Sequence, residues 1–200
     1  MSFPADIRGA ELRHLPGWMP APQADRLLQH LLKAVPWEVH RIRFFGRDVD
    51  SPRLSCWMGD ADARYRYSGV QFEPHPWLTE LLPLRSELEE ATAGRFNSVL
   101  INRYRDGRDN MGWHSDNEPE LGPEPVIAMV SLGETRRFVL RERANHRNRI
   151  KLQLAHGDLL VMAGETQRLY QHSLPKTTKP VGERISLTFR WVEQVAPVSE

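Results

Sequence analysis

Two hundred residues suit one domain, since typical domains run to about 100–200 residues, and leave no room for two of full size. The 27 basic residues against 26 acidic ones give a formal charge of +1, which excludes a whole-molecule field that draws in acidic partners, so any basic surface must be local. With 40% hydrophobic and 26% charged residues the composition is that of a folded chain, and a single cysteine, Cys56, bars an intrachain disulfide and fits a reducing intracellular setting.

Residues 1–12 lack the apolar stretch of a signal peptide, and the densest apolar runs, such as residues 126–130, fall far short of the roughly 18 residues that a membrane span needs. The reading is of a chain that is not exported and has no membrane contact: cytoplasmic or, in a eukaryote, nuclear. Pro22 opens a segment in which Ala24, Leu27, Leu28, Leu31, Leu32 and Val35 recur at i, i+3, i+4 and i+7, which predicts an amphipathic helix that Pro36 ends. Residues 41–67 are rich in Arg, Asp and aromatics around the turn signals Phe45-Gly46 and Met58-Gly59-Asp60, and read as short strands or hairpins. A second helix is expected from near Pro76, with a break or kink at Pro83, through Leu84 and Leu88 to a stop at Gly94.

From Ser98 onward the pattern turns to period two and continuous apolar runs: SVLINRY, PVIAMVSLG, RFVLRE, RIKLQL, GDLLVMAG and ERISLTFRWV are strand candidates separated by Gly, Asn, Asp and Pro. Helices followed by antiparallel strands predict an α+β domain, a sandwich or barrel with helices on one side.

Two features point to chemistry. In an extended segment the side chains of His114 and Asp116 project the same way from Cα atoms about 7 Å apart, so an imidazole and a carboxylate can take adjacent positions on one metal ion. Two His and one carboxylate, with open positions, is the donor set of non-haem Fe(II) oxygenases. An isolated His-x-Asp equally suits a solvated loop. In the last strand Ile185, Leu187, Phe189 and Trp191 share one face, which leaves Arg184, Ser186, Thr188 and Arg190 on the other. Two arginines facing together, with Cα atoms about 20 Å apart, suit a small dicarboxylate such as 2-oxoglutarate, because a guanidinium binds carboxylates through a planar pair of donors. A cationic strand edge facing solvent is the alternative. For a third ligand the downstream histidines are His146, His156 and His172. The first two sit in turn-like surroundings that need no further reason for a polar residue, and His172, opening a short extended segment before Ser173-Leu174-Pro175, is the choice.

Four separated motifs then coincide: Phe96-Asn97-Ser98-Val99-Leu100-Ile101-Asn102-Arg103-Tyr104-Arg105-Asp106-Gly107, His114-x-Asp116, His172-Ser173-Leu174-Pro175 and Arg184-x-Ser186-x-Thr188-x-Arg190. In order and spacing they resemble the AlkB family of Fe(II)/2-oxoglutarate-dependent dioxygenases, in its duplex-DNA-acting branch, with similarity from about residue 41 to 191. The resemblance implies a double-stranded β-helix (jelly-roll) core with N-terminal helices packed on one side. One domain would span residues 1–200: about 1–95 as helices and nucleotide-recognition hairpins, and about 96–192 as the catalytic core.

The resemblance also implies repair of alkylated DNA, or of RNA, by oxidative removal of N-alkyl groups from 1-methyladenine and 3-methylcytosine type bases by a monomer. Formaldehyde, succinate and CO2 would be released from the alkyl group and 2-oxoglutarate. His114, Asp116 and His172 match the Fe(II) ligands, Arg184 and Tyr104 the site of the distal 2-oxoglutarate carboxylate, and Arg190 and Asn102 its chelating end. Tyr65, Tyr67 and Ser68 match the pocket that receives a flipped base, and Glu118 an acidic position that meets an exocyclic amine. Asn117 departs from the Asp of some relatives and leaves the finer base preference open. Phe45, in Phe44-Phe45-Gly46, matches an apolar finger inserted into the base stack.

Residues 136–151 hold seven basic residues, Arg136, Arg137, Arg141, Arg143, Arg147, Arg149 and Lys151, against the single acid Glu142, a stripe suited to DNA phosphates. The rival expectations are the same centre acting on RNA or a protein side chain, and a nucleic-acid binding module without turnover.

Overall fold

The computed structural model describes residues 9–39, 41–44, 47–63, 65–67 and 70–193, with 41–44, 47–49, 65–67 and 70–72 given as backbone alone. Strand β1 (Ala10–Leu15) leads into helix α1 (Ala21–Ala34), whose second residue is Pro22, where the missing N–H belongs to the unsatisfied first turn in any case. Val35 is extended, as the residue before Pro36 must be, and the helix ends there. Hairpins β2 (Arg41–Phe44)–β3 (Arg47–Asp50) and β5 (Tyr65–Tyr67)–β6 (Val70–Phe72) flank β4 (Leu54–Gly59), in keeping with the short strands expected over 41–67.

Helix α2 (Leu81–Thr92) begins later than expected. Pro83 therefore falls at its third position, where no helical hydrogen bond is lost, and the kink expected at Pro83 is not needed. The stop is Ala93, at φ 54°, one residue before the expected Gly94; Thr92 Oγ1 donates to Leu88 O and accepts from Gly94 N–H across this turn.

All six predicted strands form: β7 (Ser98–Tyr104), β9 (Ile127–Gly133), β10 (Arg136–Glu142), β11 (Arg149–Leu154), β12 (Leu159–Gly164) and β14 (Arg184–Arg190). Between them lie β8 (Met111–His114), the short helix α3 (Thr166–Leu169) and β13 (Tyr170–Leu174). Pairing is antiparallel in a six-stranded sheet ordered β1-β12-β9-β14-β7-β4 and a four-stranded sheet ordered β11-β10-β13-β8. β1 and β4 extend the larger sheet, so the first sixty residues supply sheet as well as helix.

The continuous apolar runs have a simple origin: their strands are buried on both faces. Ala128, Val130 and Leu132 of β9 join Ala24 and Leu31 of α1, Leu81, Leu84 and Leu88 of α2, and Ile185, Leu187 and Phe189 of β14 in one cluster. The alternate residues Ile127 and Met129 join Leu160, Met162, Phe138, Leu140, Leu154 and Tyr170 in a second cluster that unites the two sheets. Cys56 belongs to the first cluster, and burial, then Glu38, pushes its thiol up to about 12, so it packs as a small apolar residue.

Strand β14 excludes the solvent-edge alternative and corrects the place of Trp191. Every residue from Arg184 to Arg190 is buried, so the polar face is not a solvent edge but looks into the interior between the sheets. Trp191 lies beyond the strand, 37% exposed under the Arg95 guanidinium, and is not part of the buried apolar face.

Leu187 has no exposed surface and packs in the cluster shared by sheet and helices. Leu187→Ala is expected to lower the unfolding free energy by about 3 kcal/mol in urea titration, whereas Trp191→Ala, which removes a partly exposed ring and its contact with Arg95, should cost less, about 1 kcal/mol.

Candidate active site

β8 and β13 are neighbours, and their register sets His114 directly opposite His172, with ring centroids 4.2 Å apart. Asp116 lies two residues past the end of β8. Donor atoms of His114, Asp116 and His172 all fall within 4.8 Å of one another. His114 Nδ1–H donates to Gly112 O (2.9 Å), which leaves Nε2 with a free lone pair 3.9 Å from Asp116 Oδ1. Asp116 Oδ2 is occupied: it accepts from Arg190 Nε (3.2 Å) and Nη2 (2.8 Å). The Asp116 N–H, which no strand neighbour receives, donates to Gln167 Oε1 (3.0 Å).

The electrostatics suit metal binding. Burial pushes His172 down to about 3, with the neighbouring His114 adding to the effect, and burial likewise lowers His114 against the pull of Asp116. Burial works to raise the Asp116 carboxyl, but Arg190, His172 and His114 outweigh it and hold it below the usual carboxylate range. At neutral pH the group therefore offers two neutral imidazoles and one carboxylate, the protonation states that coordination requires.

The same interior pocket is lined by Asn102, Tyr104, Arg184, Ser186 and Arg190. Cross-strand register explains the grouping, since Arg184 faces Tyr104 and Ser186 faces Asn102 between β14 and β7. Arg184 is fully buried. Its Nη2 donates to Ser131 Oγ (2.8 Å) and its Cζ lies 5.4 Å from the Tyr104 ring centroid, but Nε and Nη1 have no partner. Burial pushes this guanidinium down to about 10, so it remains a cation at neutral pH. A buried cation with two unused donors is suited to receive a carboxylate brought from outside. Asn102 Oδ1 accepts from Arg53 Nε (2.8 Å), which assigns the opposite end of that amide as donor.

His146 lies in the exposed turn between β10 and β11, and His156 accepts from Gly133 N–H with its other nitrogen 3.3 Å from Asp25, so His172 alone of the three downstream candidates joins the cluster. Glu118 has a buried Oε2 without a hydrogen-bond partner. Tyr65 and Tyr67 lie in β5, of which only the backbone is described, and Phe45 and Ser68 lie outside the described residues.

The basic stripe needs one correction. Arg136 is buried and donates to Asp106 O, Asp109 O and Pro175 O, so it fastens loops together and is not available to phosphate. Arg137, Arg143, Arg147, Arg149 and Lys151 are exposed, and Arg141 lies over Trp113 with its Cζ 4.2 Å from the ring centroid. Sequence reasoning missed Gln167, Ser131 and Arg53. Ser131 is a lone hydroxyl within an apolar strand run, and Gln167 and Arg53 lie in no metal-ligand pattern; only three-dimensional hydrogen bonding exposes the three.

A family model described as the 2OG-Fe(II) oxygenase superfamily matches residues 11–190. Alpha-ketoglutarate-dependent dioxygenase alkB homolog 3 of Mus musculus is 41% identical over 186 residues, covering 88% of this chain and 64% of that protein. DNA oxidative demethylase ALKBH2 of Homo sapiens is 39% identical over 178 residues, covering 84% and 68%. This chain belongs to the AlkB family of 2OG-Fe(II) oxygenases. It spans slightly under two thirds of the length of the alkB homolog 3 relatives. A solved structure of OsALKBH1 superposes with a TM-score of 0.60 at 16% identity, covering 90% of this chain and 97% of that one, and shows the shared fold.

The superfamily uses Fe(II), 2-oxoglutarate and O2, and the residues present in this AlkB-family chain fit them: a two-His, one-carboxylate donor set for the metal, and the unpartnered Nε and Nη1 of Arg184 for a carboxylate.

Arg190 compensates a buried carboxylate, so Arg190→Met is expected to destabilise the metal-free protein by about 3–5 kcal/mol in urea titration at pH 7. Adding Asp116→Leu should recover most of that loss; a double variant no more stable than Arg190→Met contradicts the pairing.

Proposed function

We propose that this chain repairs DNA by oxidative dealkylation of N-alkylated bases of the 1-methyladenine and 3-methylcytosine type, consuming O2 and 2-oxoglutarate and releasing formaldehyde, succinate and CO2. The observation that carries the reading is the meeting, in one buried pocket, of the His114–Asp116–His172 donor group and an Arg184 guanidinium with two unused donors. The AlkB-family relatives named dioxygenase and DNA oxidative demethylase support the reaction class.

In this reading His114, Asp116 and His172 hold Fe(II), which when bound supplies the oxidising chemistry. Arg184, with Tyr104, takes the distal carboxylate of 2-oxoglutarate, and Asn102 with Arg190 stands at its chelating end. Gly112 O and Arg190 keep one donor atom each of His114 and Asp116 turned toward the metal position. Burial of the pocket between the sheets excludes bulk water from the co-substrate.

A base inside a duplex is beyond such a pocket and must be flipped out. Tyr65, Tyr67 and Ser68 would line the base pocket, and Phe45 would act as the apolar wedge in the stack. The buried, unpartnered Oε2 of Glu118 would accept from the exocyclic amine of a cationic alkylated base. Exposed Arg137, Arg143, Arg147, Arg149 and Lys151 would neutralise backbone phosphates, giving affinity without sequence choice.

The architecture proposed is one domain over residues 1–200, a double-stranded β-helix over about 96–192 with α1 and α2 backing the larger sheet, and about 1–95 supplying base recognition. It acts as a monomer. Among the described residues no helix is long and apolar enough to cross a membrane, and the cytoplasm, or the nucleus of a eukaryote, holds the nucleic acid on which it acts.

The test is an anaerobic titration with Fe(II) and 2-oxoglutarate, then exposure to O2 with methylated DNA, methylated RNA or protein. Formaldehyde and succinate should form with methylated DNA. Both His114→Ala and Arg184→Ala should abolish them, the first with loss of metal and the second with loss of 2-oxoglutarate binding. Turnover on RNA or protein alone, or DNA binding without turnover, overturns the proposal. Replacing Arg147, Arg149 and Lys151 by Gln should weaken DNA binding and flatten the slope of log K against log salt by about 0.7–0.9 for each phosphate no longer neutralised.

A further inference from the structure

Asp116 is the one member of the donor group that lies outside the sheet ladder. His114 ends β8 and His172 sits inside β13, so strand pairing fixes both backbones. Asp116 has passed the end of β8 and is buried, so its N–H needs a partner from elsewhere in the chain. Gln167 receives it. This side chain is 1% exposed, and its two ends are matched to different partners: Oε1 accepts from Asp116 N–H at 3.0 Å, while Nε2 lies 3.6 Å from Met162 Sδ, which can only accept. The amide therefore has one sensible orientation. Gln167 belongs to α3, the turn that leads directly into β13 and His172.

We propose that Gln167 is a positioning residue that fixes the backbone of Asp116 relative to His172, so that Asp116 Oδ1 is presented to the metal while Arg190 holds Oδ2. The argument is geometric. Arg190 fixes only Oδ2 of the carboxylate; the hydrogen bond from the Asp116 N–H to Gln167 holds the main chain from which that carboxylate projects, beside the anchor that Ser115 gives the same loop. Because Gln167 sits in α3, which runs without a break into β13 and His172, the restraint ties together two ligands that are 56 positions apart in the chain. This inference rests on the reading that the three residues hold a divalent metal.

The test uses Co(II) as probe, read by its visible absorption, together with the thermal midpoint of the metal-free protein. Gln167→Met keeps side-chain length and bulk but offers no oxygen acceptor, and Gln167→Glu keeps the acceptor. The expected result is a Co(II) dissociation constant raised about 10–100-fold in Gln167→Met, with an altered absorption band, and raised no more than about threefold in Gln167→Glu. If Gln167→Met does not fold, Gln167→Asn, whose amide is too short to reach Asp116, replaces it with the same expectation. An unchanged Co(II) dissociation constant and band in a folded variant, with only a lowered thermal midpoint, overturns the proposal and makes Gln167 a packing residue. Absence of Co(II) binding by the parent protein overturns the metal reading itself, which separates the two failures.

Discussion

A carboxylate can remain ionised in a protein interior only if something nearby favours the charge more than burial opposes it. At Asp116 that something is Arg190, and the pair constrains much of the rest. Arg190 ends β14, which lies between β9 and β7 in the middle of the larger sheet, whereas Asp116 follows β8 at the edge of the smaller one. For the two to meet, the sheets must face each other with a polar interior at this end. Their apolar side chains close the remainder: Met129 and Met162 line the pocket and at the same time belong to the cluster shared by Phe138, Leu140 and Leu154.

β14 carries a cation at each end, and the two are treated differently. Arg190 has an internal anion, while Arg184 has a hydroxyl and an aromatic face but no carboxylate of its own. A fully buried guanidinium with two idle donors is costly to the folded state, and the surrounding residues increase the cost, since Arg136 nearby further disfavours its charge. Such an arrangement lowers stability in the absence of ligand, and an acid bound there would restore it, because whatever binds only the folded form stabilises it. The larger apolar cluster beneath β14, with Ile185, Leu187 and Phe189 on the opposite face, is what the fold sets against that cost.

The parts legible in the sequence were those that depend on period and local chemistry. The alternation of Arg184, Ser186, Thr188 and Arg190 against Ile185, Leu187 and Phe189 survives, without Trp191, and so do six strands and the helix closed by Pro36. What period cannot convey is what lies opposite a face, and the polar side of β14 is compatible with solvent in the sequence although the second sheet covers it in the fold. Arg136 shows the same limit: in the one-dimensional pattern it is one more charge in a basic run, yet its side chain turns inward to three backbone carbonyls. Helix α2 starts at Leu81 and not near Pro76, so Pro83, read in the sequence as a break or kink, falls in the first turn, where its missing N–H costs no helical bond. Gln167 carried no signal at all, since a lone glutamine among polar residues acquires meaning only from the N–H it meets.

The centre and the basic hairpin are not independent regions. Ser115, the residue between two of the proposed ligands, donates its hydroxyl to Tyr170 O (2.6 Å) and accepts from Arg143 Nη2 (2.8 Å), while Arg143 N–H donates to Leu169 O. The loop bearing His114 and Asp116 is thereby fastened to β13 and to the root of the exposed hairpin whose cations face solvent. A side chain that bonds both ways inside this junction has little freedom to rotate, so the spacing between the cationic surface and the donor group is set by a few short hydrogen bonds rather than by loose packing. In the proposed reading, a polyanion bound at the hairpin would therefore lie at a fixed distance from the pocket, and the pocket would reach only the part that projects beyond the hairpin.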